Sequence, residues 1–172
     1  DEAGRGPFAG PLVVAGVVLK KDISELNDSK KLTEKKREIL YDIIIENSKY
    51  HIVFVDNHKI DQLGLSLCLK NSIIEIMENI DCSNYLMDGN TTFGIKNLDS
   101  LVKADAKIKE VSAASILAKV SRDRYMHKIS SLYPNYHFEK HKGYGTKLHI
   151  EAIKKYGYSD LHRRSFKIKS LV

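Results

Sequence analysis

Four carboxylates lie where a metal-dependent reaction could use them. Asp1 and Glu2 stand directly before a glycine-rich turn. Asp88 and Asp105 each end a short apolar segment. Because the carboxyl ends of strands in α/β sheets meet at one crevice, we expect the four side chains to converge there. Acids brought together repel each other unless cations bind between them, and oxygen ligands without a Cys or His cluster favour Mg²⁺ or Mn²⁺ over zinc.

Two such cations, about 4 Å apart, would suit the hydrolysis of a phosphodiester. One would activate a water as the nucleophile, and the other would stabilise the leaving 3′ oxygen. Any one of these acids could instead be a cap or turn residue, and Asp88 before Gly89 fits a turn on local grounds. Spacing alone does not decide between the two interpretations.

The turn formed by Gly4, Arg5 and Gly6 follows the first two acids directly. Glycines permit positive φ and let backbone N–H groups approach a phosphate or sugar closely. The guanidinium of Arg5 adds a forked donor for phosphate. Without the neighbouring acids, a simple tight turn with an exposed arginine would be the preferred interpretation.

The elements that must position these residues follow from hydrophobic spacing. Short apolar or β-branched runs predict strands over 12–20, 50–56, 84–88 and 100–105. Apolar residues at helical spacing predict helices from a Thr33 cap to about residue 47, and over 60–79, 111–131 and 146–157. Strands alternating with helices predict an α/β layer structure with a mixed sheet, as one domain over 1–172.

Composition excludes several classes of protein. In 172 residues, 42% are hydrophobic and 29% charged, and no apolar run is long enough to span a membrane. Cys68 and Cys82 suggest neither a disulfide framework nor a zinc site, so we expect thiols in a reducing compartment and a cytoplasmic protein. The chain opens on Asp1 without an initiator Met, and we expect further residues ahead of it in the natural protein.

The net charge of +6 is concentrated at one end of the sequence. The segment 132–172 holds nine of the 28 basic and three of the 22 acidic residues, so the rest of the chain is balanced. We expect this segment to form basic helices beside the sheet that face a polyanion. A solvated lysine-rich surface would explain the charge alone, but the interleaved aromatic residues favour nucleic acid.

Beyond these patterns, a series of sequence motifs, found in the same order along nearly the whole chain, resembles bacterial ribonuclease HII. The motifs are 1–7, 9–11, 28–32, 87–89, 103–107, 113–124, 142–146 and 162–166. The resemblance implies an RNase H-like fold. It also implies hydrolysis of RNA in RNA–DNA hybrids and nicking on the 5′ side of single ribonucleotides in duplex DNA, which leaves a 3′-hydroxyl and a 5′-phosphate.

The resemblance also assigns roles to individual positions. The metal-binding catalytic carboxylates would be Asp1, Glu2, Asp88 and Asp105. The residues that contact the 2′-hydroxyl and the neighbouring backbone would be Gly4, Arg5 and Gly6, with Lys30 and Lys31 on phosphates. Tyr144 would stack on the deoxyribose after the ribonucleotide, with Gly143 and Gly145 keeping the approach open.

The expected cofactors are two Mg²⁺ or Mn²⁺ ions, and the expected partner is an RNA–DNA hybrid or a DNA duplex containing ribonucleotides. No obligate protein partner or membrane contact is expected, and a monomer suffices.

Two alternatives compete with this assignment. The sister type, ribonuclease HIII, usually lacks the Gly-Arg-Gly turn. A non-catalytic nucleic-acid-binding module of the same fold would have been favoured by loss of a carboxylate, and all four are present.

Three arginines are ambiguous in sequence. Arg122 could form a helix-surface pair with Asp123 or brace the site. Arg163 and Arg164 could hold DNA phosphates or pin the C-terminal segment to the core. The seven histidines show no metal-ligand spacing and receive no catalytic role.

Overall fold

A computed structural model describes residues 1–26 and 32–168. Lys30 and Lys31 lie outside the described residues. The strands are β1 (Glu2–Ala3), β2 (Leu12–Leu19), β3 (Ser48–Val55), β4 (Tyr85–Asp88) and β5 (Leu98–Leu101). The helices are α1 (Glu34–Asn47), α2 (Asn57–Leu63), α3 (Leu65–Asn79), α4 (Lys109–Ser130), α5 (Phe138–His141) and α6 (Lys147–Tyr156), with 3₁₀ turns at Ala104–Ala106 and Pro134–Tyr136.

The strands form two sheets in the described part of the chain. β1, β2 and β3 pair antiparallel in that order, with Glu2 opposite Val14. β4 and β5 pair parallel, with Asp88 opposite Leu101. This arrangement of sheets flanked by helices confirms the predicted α/β class, with both antiparallel and parallel pairing present.

Two predicted elements differ from the structure. The strand predicted over 100–105 ends at Leu101, because Lys103 adopts a left-handed conformation (φ 60°) and turns the chain into the 3₁₀ turn that holds Asp105. The helix predicted over 60–79 is two helices, which meet at Gly64. The N–H of Gly64 caps α2 by donating to the carbonyl of Ile60. The predicted Thr33 cap is confirmed, since its side chain accepts from the N–H of Lys36.

β2 is the centre of the core because helices cover both of its faces. Leu12 and Val14 belong to a buried cluster with α3. Val13 and Ala15, which alternate with them, belong to a cluster with α1 and α4. The small residues at the start of α4 let this helix lie close against the sheet. None of the helices formed by the described residues is long and apolar enough to cross a membrane.

The C-terminal part packs around three buried histidines. The rings of His141 and His149 stack at 4.4 Å between centroids, and Nε2 of His149 lies 3.0 Å from Nε2 of His162. Backbone N–H groups of Gly143 and Ser159 donate to Nδ1 of His141 and of His162, so these two rings carry their proton on Nε2.

The hydrogen bonds then fix the remaining tautomer. Nε2 of His162 donates to Nε2 of His149, whose Nδ1 therefore carries the proton and donates to the carbonyl of Tyr144 at 2.9 Å. All three rings are consistent with the neutral form. Burial lowers the pKa of His149 and of His162 to about 4, and it also lowers the pKa of His141.

Because these three histidines are buried in the neutral form, we expect the protein to become less stable as the pH falls. Their folded-state pKa lies below the unfolded value, so the unfolded chain binds more protons as the pH falls from 6.5 towards 4. We expect the free energy of unfolding, measured by urea denaturation, to fall by roughly 2–4 kcal/mol between pH 7 and pH 5. The His149→Gln variant should show a shallower pH dependence, while the exposed control His127→Gln should match the wild type. Equal stability at both pH values would contradict this account.

Candidate active site

Three carboxylates from separate parts of the chain meet at one point. Asp1, Asp88 and Asp105 each offer an oxygen, and these oxygens all lie within 4.8 Å of one another. Asp1 is fixed beside β2, because its backbone nitrogen donates to the carbonyl of Ala15 (3.0 Å) and its carbonyl accepts from the N–H of Ala15 (2.9 Å). The predicted convergence of these three acids is therefore present in the structure.

Asp88 and Asp105 are positioned together. Asp88 ends β4, and its Oδ1 accepts a hydrogen bond from the backbone N–H of Ala104 at 2.9 Å. This bond ties the strand to the 3₁₀ turn in which Asp105 is buried. The turn continues into α4 through the N–H of Ile108, which donates to the carbonyl of Ala104 at 2.8 Å. Asp105 thus owes its place to a turn and not to a strand end.

Glu2 lies beside this group but does not belong to it. Adjacent residues in extended backbone point to opposite sides, and the carboxylate of Glu2 accepts from Nη1 of Arg5 at 3.1 Å. The side chain of Glu2 is 10% exposed and that of Arg5 is 58% exposed. The structure thus brings three of the four predicted acids together and pairs the fourth with the arginine of the turn.

The donor set suits a divalent cation. All three groups are carboxylates, so the site offers hard oxygen ligands without sulfur or imidazole. Three negative charges at this separation repel each other strongly, and a bound cation removes that cost. Asp1, Asp88 and Asp105 are therefore the residues that could hold a metal ion.

The Gly-Arg-Gly turn (residues 4–6) begins two residues after Glu2. Gly4 has φ +96°, and a Cβ there would lie 2.6 Å from the carbonyl oxygen of Pro11, so only glycine fits. Gly6 is exposed, and a Cβ built on it meets no atom within 4 Å. Packing within the protein therefore explains the glycine at position 4 but not the one at position 6.

Tyr144 stands on a loop that contacts residues 8 and 9, shortly after this turn. Its side chain is 41% exposed, and the Arg122 guanidinium lies 5.6 Å from the ring centre. The neighbouring Gly143 accepts a hydrogen bond from the N–H of Phe8, and a Cβ on Gly143 (φ +83°) would lie 2.3 Å from the carbonyl oxygen of Ala9.

A Cβ on Gly145 would lie 2.3 Å from the ring of Phe8. These close contacts explain both glycines by packing within the protein, and their expected role in keeping an approach open stays a prediction. Both glycines let the Tyr144 loop pack against the protein's own residues Phe8 and Ala9.

Two arginines are fully buried beneath the segment 4–11. Arg122 donates from Nε to the carbonyl of Pro11 (2.8 Å) and from Nη2 to that of Ala9 (3.1 Å). It is thus the brace, and the surface-pair interpretation is wrong; Asp123 instead pairs with Lys119. The helical spacing of Ala118, Arg122 and Met126, all buried on one face of α4, is the signal that predicts this burial.

Arg163 pins the C-terminal segment to the core and holds no exposed phosphate site. It donates to three backbone carbonyls: from Nε to Gly10 (3.0 Å), from Nη1 to Arg5 (3.2 Å) and from Nη2 to Gly4 (2.7 Å). The side chain of Arg164 is exposed, while its backbone N–H donates to Oδ2 of Asp61. No pattern in the sequence distinguishes the buried arginine from its exposed neighbour.

The chain is similar to known ribonucleases. The family model described as Ribonuclease HII matches residues 1–169. A curated relative named Ribonuclease HII, from Aliarcobacter butzleri, is 66% identical over 173 residues, which cover 99% of this chain and 90% of the relative.

Solved structures agree with the sequence comparison. The RNase HII of Archaeoglobus fulgidus, solved in a complex with PCNA, has a TM-score of 0.84 at 27% identity, covering 98% of this chain and 94% of that one. The ribonuclease H2 of Pyrococcus horikoshii has a TM-score of 0.81 at 30% identity, covering 97% and 92%. These neighbours confirm the RNase H-like fold. The chain belongs to the ribonuclease HII family, whose members are type 2 ribonucleases H and metal-dependent endonucleases.

Proposed function

We propose that this protein hydrolyses the RNA strand of RNA–DNA hybrids and nicks duplex DNA on the 5′ side of an embedded ribonucleotide, leaving a 3′-hydroxyl and a 5′-phosphate. The observation that carries the proposal is the carboxylate cluster of Asp1, Asp88 and Asp105, whose first member stands three residues before a turn in which Gly6 is open to solvent. Carboxylates that could hold metal ions for phosphodiester hydrolysis, and a turn with room for a sugar, together support the proposal.

Asp1, Asp88 and Asp105 are the proposed metal ligands, and Glu2 is the proposed fourth carboxylate. Glu2 follows Asp1 directly in the chain, and its ion pair with Arg5 compensates its own negative charge. The donor chemistry favours two Mg²⁺ or Mn²⁺ ions, which when bound supply an activated water and stabilise the leaving oxygen. The protein contributes the fixed placement of the acids, through the Asp1–Ala15 and Asp88–Ala104 hydrogen bonds.

The Gly-Arg-Gly turn is the proposed binding site for the ribonucleotide. Only the 2′-hydroxyl distinguishes a ribose from a deoxyribose, and a backbone free of side chains can approach it closely. The open space above Gly6 supports this role, since no protein atom requires a glycine there. Arg5 is exposed and can donate to a phosphate, and Lys30 and Lys31 keep their proposed role on neighbouring phosphates.

Tyr144 is the proposed contact to the deoxyribose that follows the ribonucleotide. Its exposed ring offers a face for stacking, and its backbone is held by His149 and by the packing of Gly143 on Ala9. The basic residues of the segment 132–172 supply attraction for the phosphate backbone. We propose that the protein acts as a monomer on hybrid or ribonucleotide-containing duplex, with no obligate protein partner.

The first test removes one proposed metal ligand without changing the shape of the side chain. Asp105→Asn should lower the rate of nicking of a single-ribonucleotide duplex by roughly a hundredfold or more, because it removes a charged ligand, and should leave duplex binding intact. Cleavage gels and fluorescence anisotropy measure the two effects. The control Asp99→Asn makes the same charge change at an exposed residue of β5 and should retain activity. Wild-type rates in Asp105→Asn would disprove the site assignment.

The second test separates substrate contact from protein packing at the turn. Gly6→Ala should change the free energy of unfolding by less than about 1 kcal/mol, since its Cβ meets no protein atom. It should nevertheless lower kcat/KM on the single-ribonucleotide duplex by roughly tenfold to a hundredfold, because the methyl group displaces the sugar. Gly4→Ala should instead lower stability in the denaturation assay. A fully active Gly6→Ala would argue against contact between the turn and the substrate.

The third test concerns recognition of the RNA–DNA junction. Tyr144→Ala should lower the ratio of cleavage of single-ribonucleotide duplex to cleavage of all-RNA hybrid by roughly tenfold, since one stacking contact is worth about 1–3 kcal/mol. Tyr50→Ala, which removes a ring of equal exposure from β3, should leave the ratio unchanged. An unchanged ratio in Tyr144→Ala would remove this residue from junction recognition.

A further inference from the structure

The guanidinium of Arg163 is buried and its side chain donates only to backbone carbonyls within the described part of the chain. It forms no ion pair with a described carboxylate. Burial lowers its pKa to about 9, and the neighbouring charge of Arg122 acts in the same direction. A buried charge without a countercharge is costly, and an apolar side chain of similar volume would avoid that cost. The arginine must therefore do something that an apolar residue cannot.

What Arg163 holds is the inner side of the Gly-Arg-Gly turn. Its two Nη atoms bind the carbonyls of Gly4 and Arg5, which are consecutive in the chain. In a planar trans peptide the N–H points opposite to the C=O. Since the carbonyls of Gly4 and Arg5 face Arg163, the N–H groups of Arg5 and Gly6 face away from it.

These outward N–H groups lie on the exposed side of the turn. Arg5 and Gly6 are both exposed, and neither backbone N–H donates to another residue among 1–26 and 32–168. A pair of neighbouring backbone donors in a turn is a ready site for an anionic or hydroxyl oxygen. Asp1, one of the three acids that could hold a metal ion, lies three residues before Gly4 in the chain.

We propose that Arg163 is the positioning residue for substrate recognition: by holding the carbonyls of Gly4 and Arg5 inward, it presents the N–H groups of Arg5 and Gly6 to the sugar–phosphate of the ribonucleotide. This inference rests on the proposed function of the turn. Arg163 touches no substrate and acts through the backbone. Lysine cannot replace it, because one ammonium group lacks the planar fork that reaches three carbonyls at once.

The test is a double-mutant cycle with Gly6→Ala, which obstructs the outer side of the same turn. On a single-ribonucleotide duplex, Arg163→Lys and Gly6→Ala should each lower kcat/KM by roughly tenfold or more. If Arg163 acts through the turn, Arg163→Lys already displaces the turn, and adding Gly6→Ala should lower kcat/KM little further. The kcat/KM of the double variant should then lie within about threefold of that of the less active single variant. Penalties that multiply would overturn the proposal.

Arg122→Lys is the matched control for loss of a buried guanidinium. Arg122 packs beside Gly4 but donates to the carbonyls of Ala9 and Pro11 and to none in the turn, so its penalty should multiply with that of Gly6→Ala. Mn²⁺ titration should give the same affinity for wild type and Arg163→Lys, since the acids have their own anchors. If Arg163→Lys does not fold, Phe166→Leu replaces it in the cycle. That change removes the ring 5.1 Å from the guanidinium, and smaller coupling of the same sign is expected.

A second readout does not depend on cleavage. In ¹H–¹⁵N spectra recorded with EDTA, the N–H signals of Arg5 and Gly6 should shift when RNA–DNA hybrid is added to the wild type, and should not shift in Arg163→Lys or Phe166→Leu. If the wild type shows the shifts but cuts no substrate, the proposed function fails and this inference stands. If the wild type cuts while the shifts are the same in all variants, the inference fails alone.

Discussion

The mutual repulsion of three carboxylates is the constraint on which the rest of this structure depends. Asp1, Asp88 and Asp105 come from three separate segments, and nothing in their own chemistry brings them within 4.8 Å. The packing of the core must hold them there. β2, which is buried on both faces, carries the partner of Asp1 at Ala15, and the bond from Ala104 to Asp88 joins the other two segments. The rigidity of the sheet is thus a requirement of the site and not only a source of stability.

Around this centre the protein uses backbone more than side chains. The segment 8–10 is bound to the Tyr144 loop and to the segment around Arg163 through carbonyl and N–H groups. The side chains of Arg122, Arg163 and His149 donate to further carbonyls in this region, and those of the Gly-Arg-Gly turn are bound by Arg163. Buried polar side chains thus provide hydrogen bonds for loop carbonyls that have no partner in a regular strand or helix. The loop can therefore stay both exposed on one side and fixed on the other.

Much of the fold and of the candidate site could be predicted from sequence, for identifiable reasons. The alternation in β2 and the Thr33 cap depend on local spacing, which a sequence displays directly. Asp105 was expected at a strand end, but a left-handed Lys103, which no local pattern requires, moves it into a turn. Arg163 and Arg164 are adjacent and chemically identical, so only tertiary contacts 153 to 159 residues away decide which one is buried. The sequence likewise does not show whether the carboxylate of Glu2 joins the other acids or pairs with Arg5.

The antiparallel bridge between Ala9 and His162 has a consequence for how the protein is made. A ribosome produces the chain in order, so Asp1 and the Gly-Arg-Gly turn leave the tunnel long before Arg163, which is 159 residues beyond Gly4. Until that segment has been synthesised, the carbonyls of Gly4 and Arg5 lack the donors of Arg163. His149, which binds the carbonyl of Tyr144, likewise lacks its hydrogen bond from His162. The order of translation therefore delays assembly of the nuclease surface until the segment around Arg163 is present, even though the residues that Arg163 binds emerge more than 150 residues earlier.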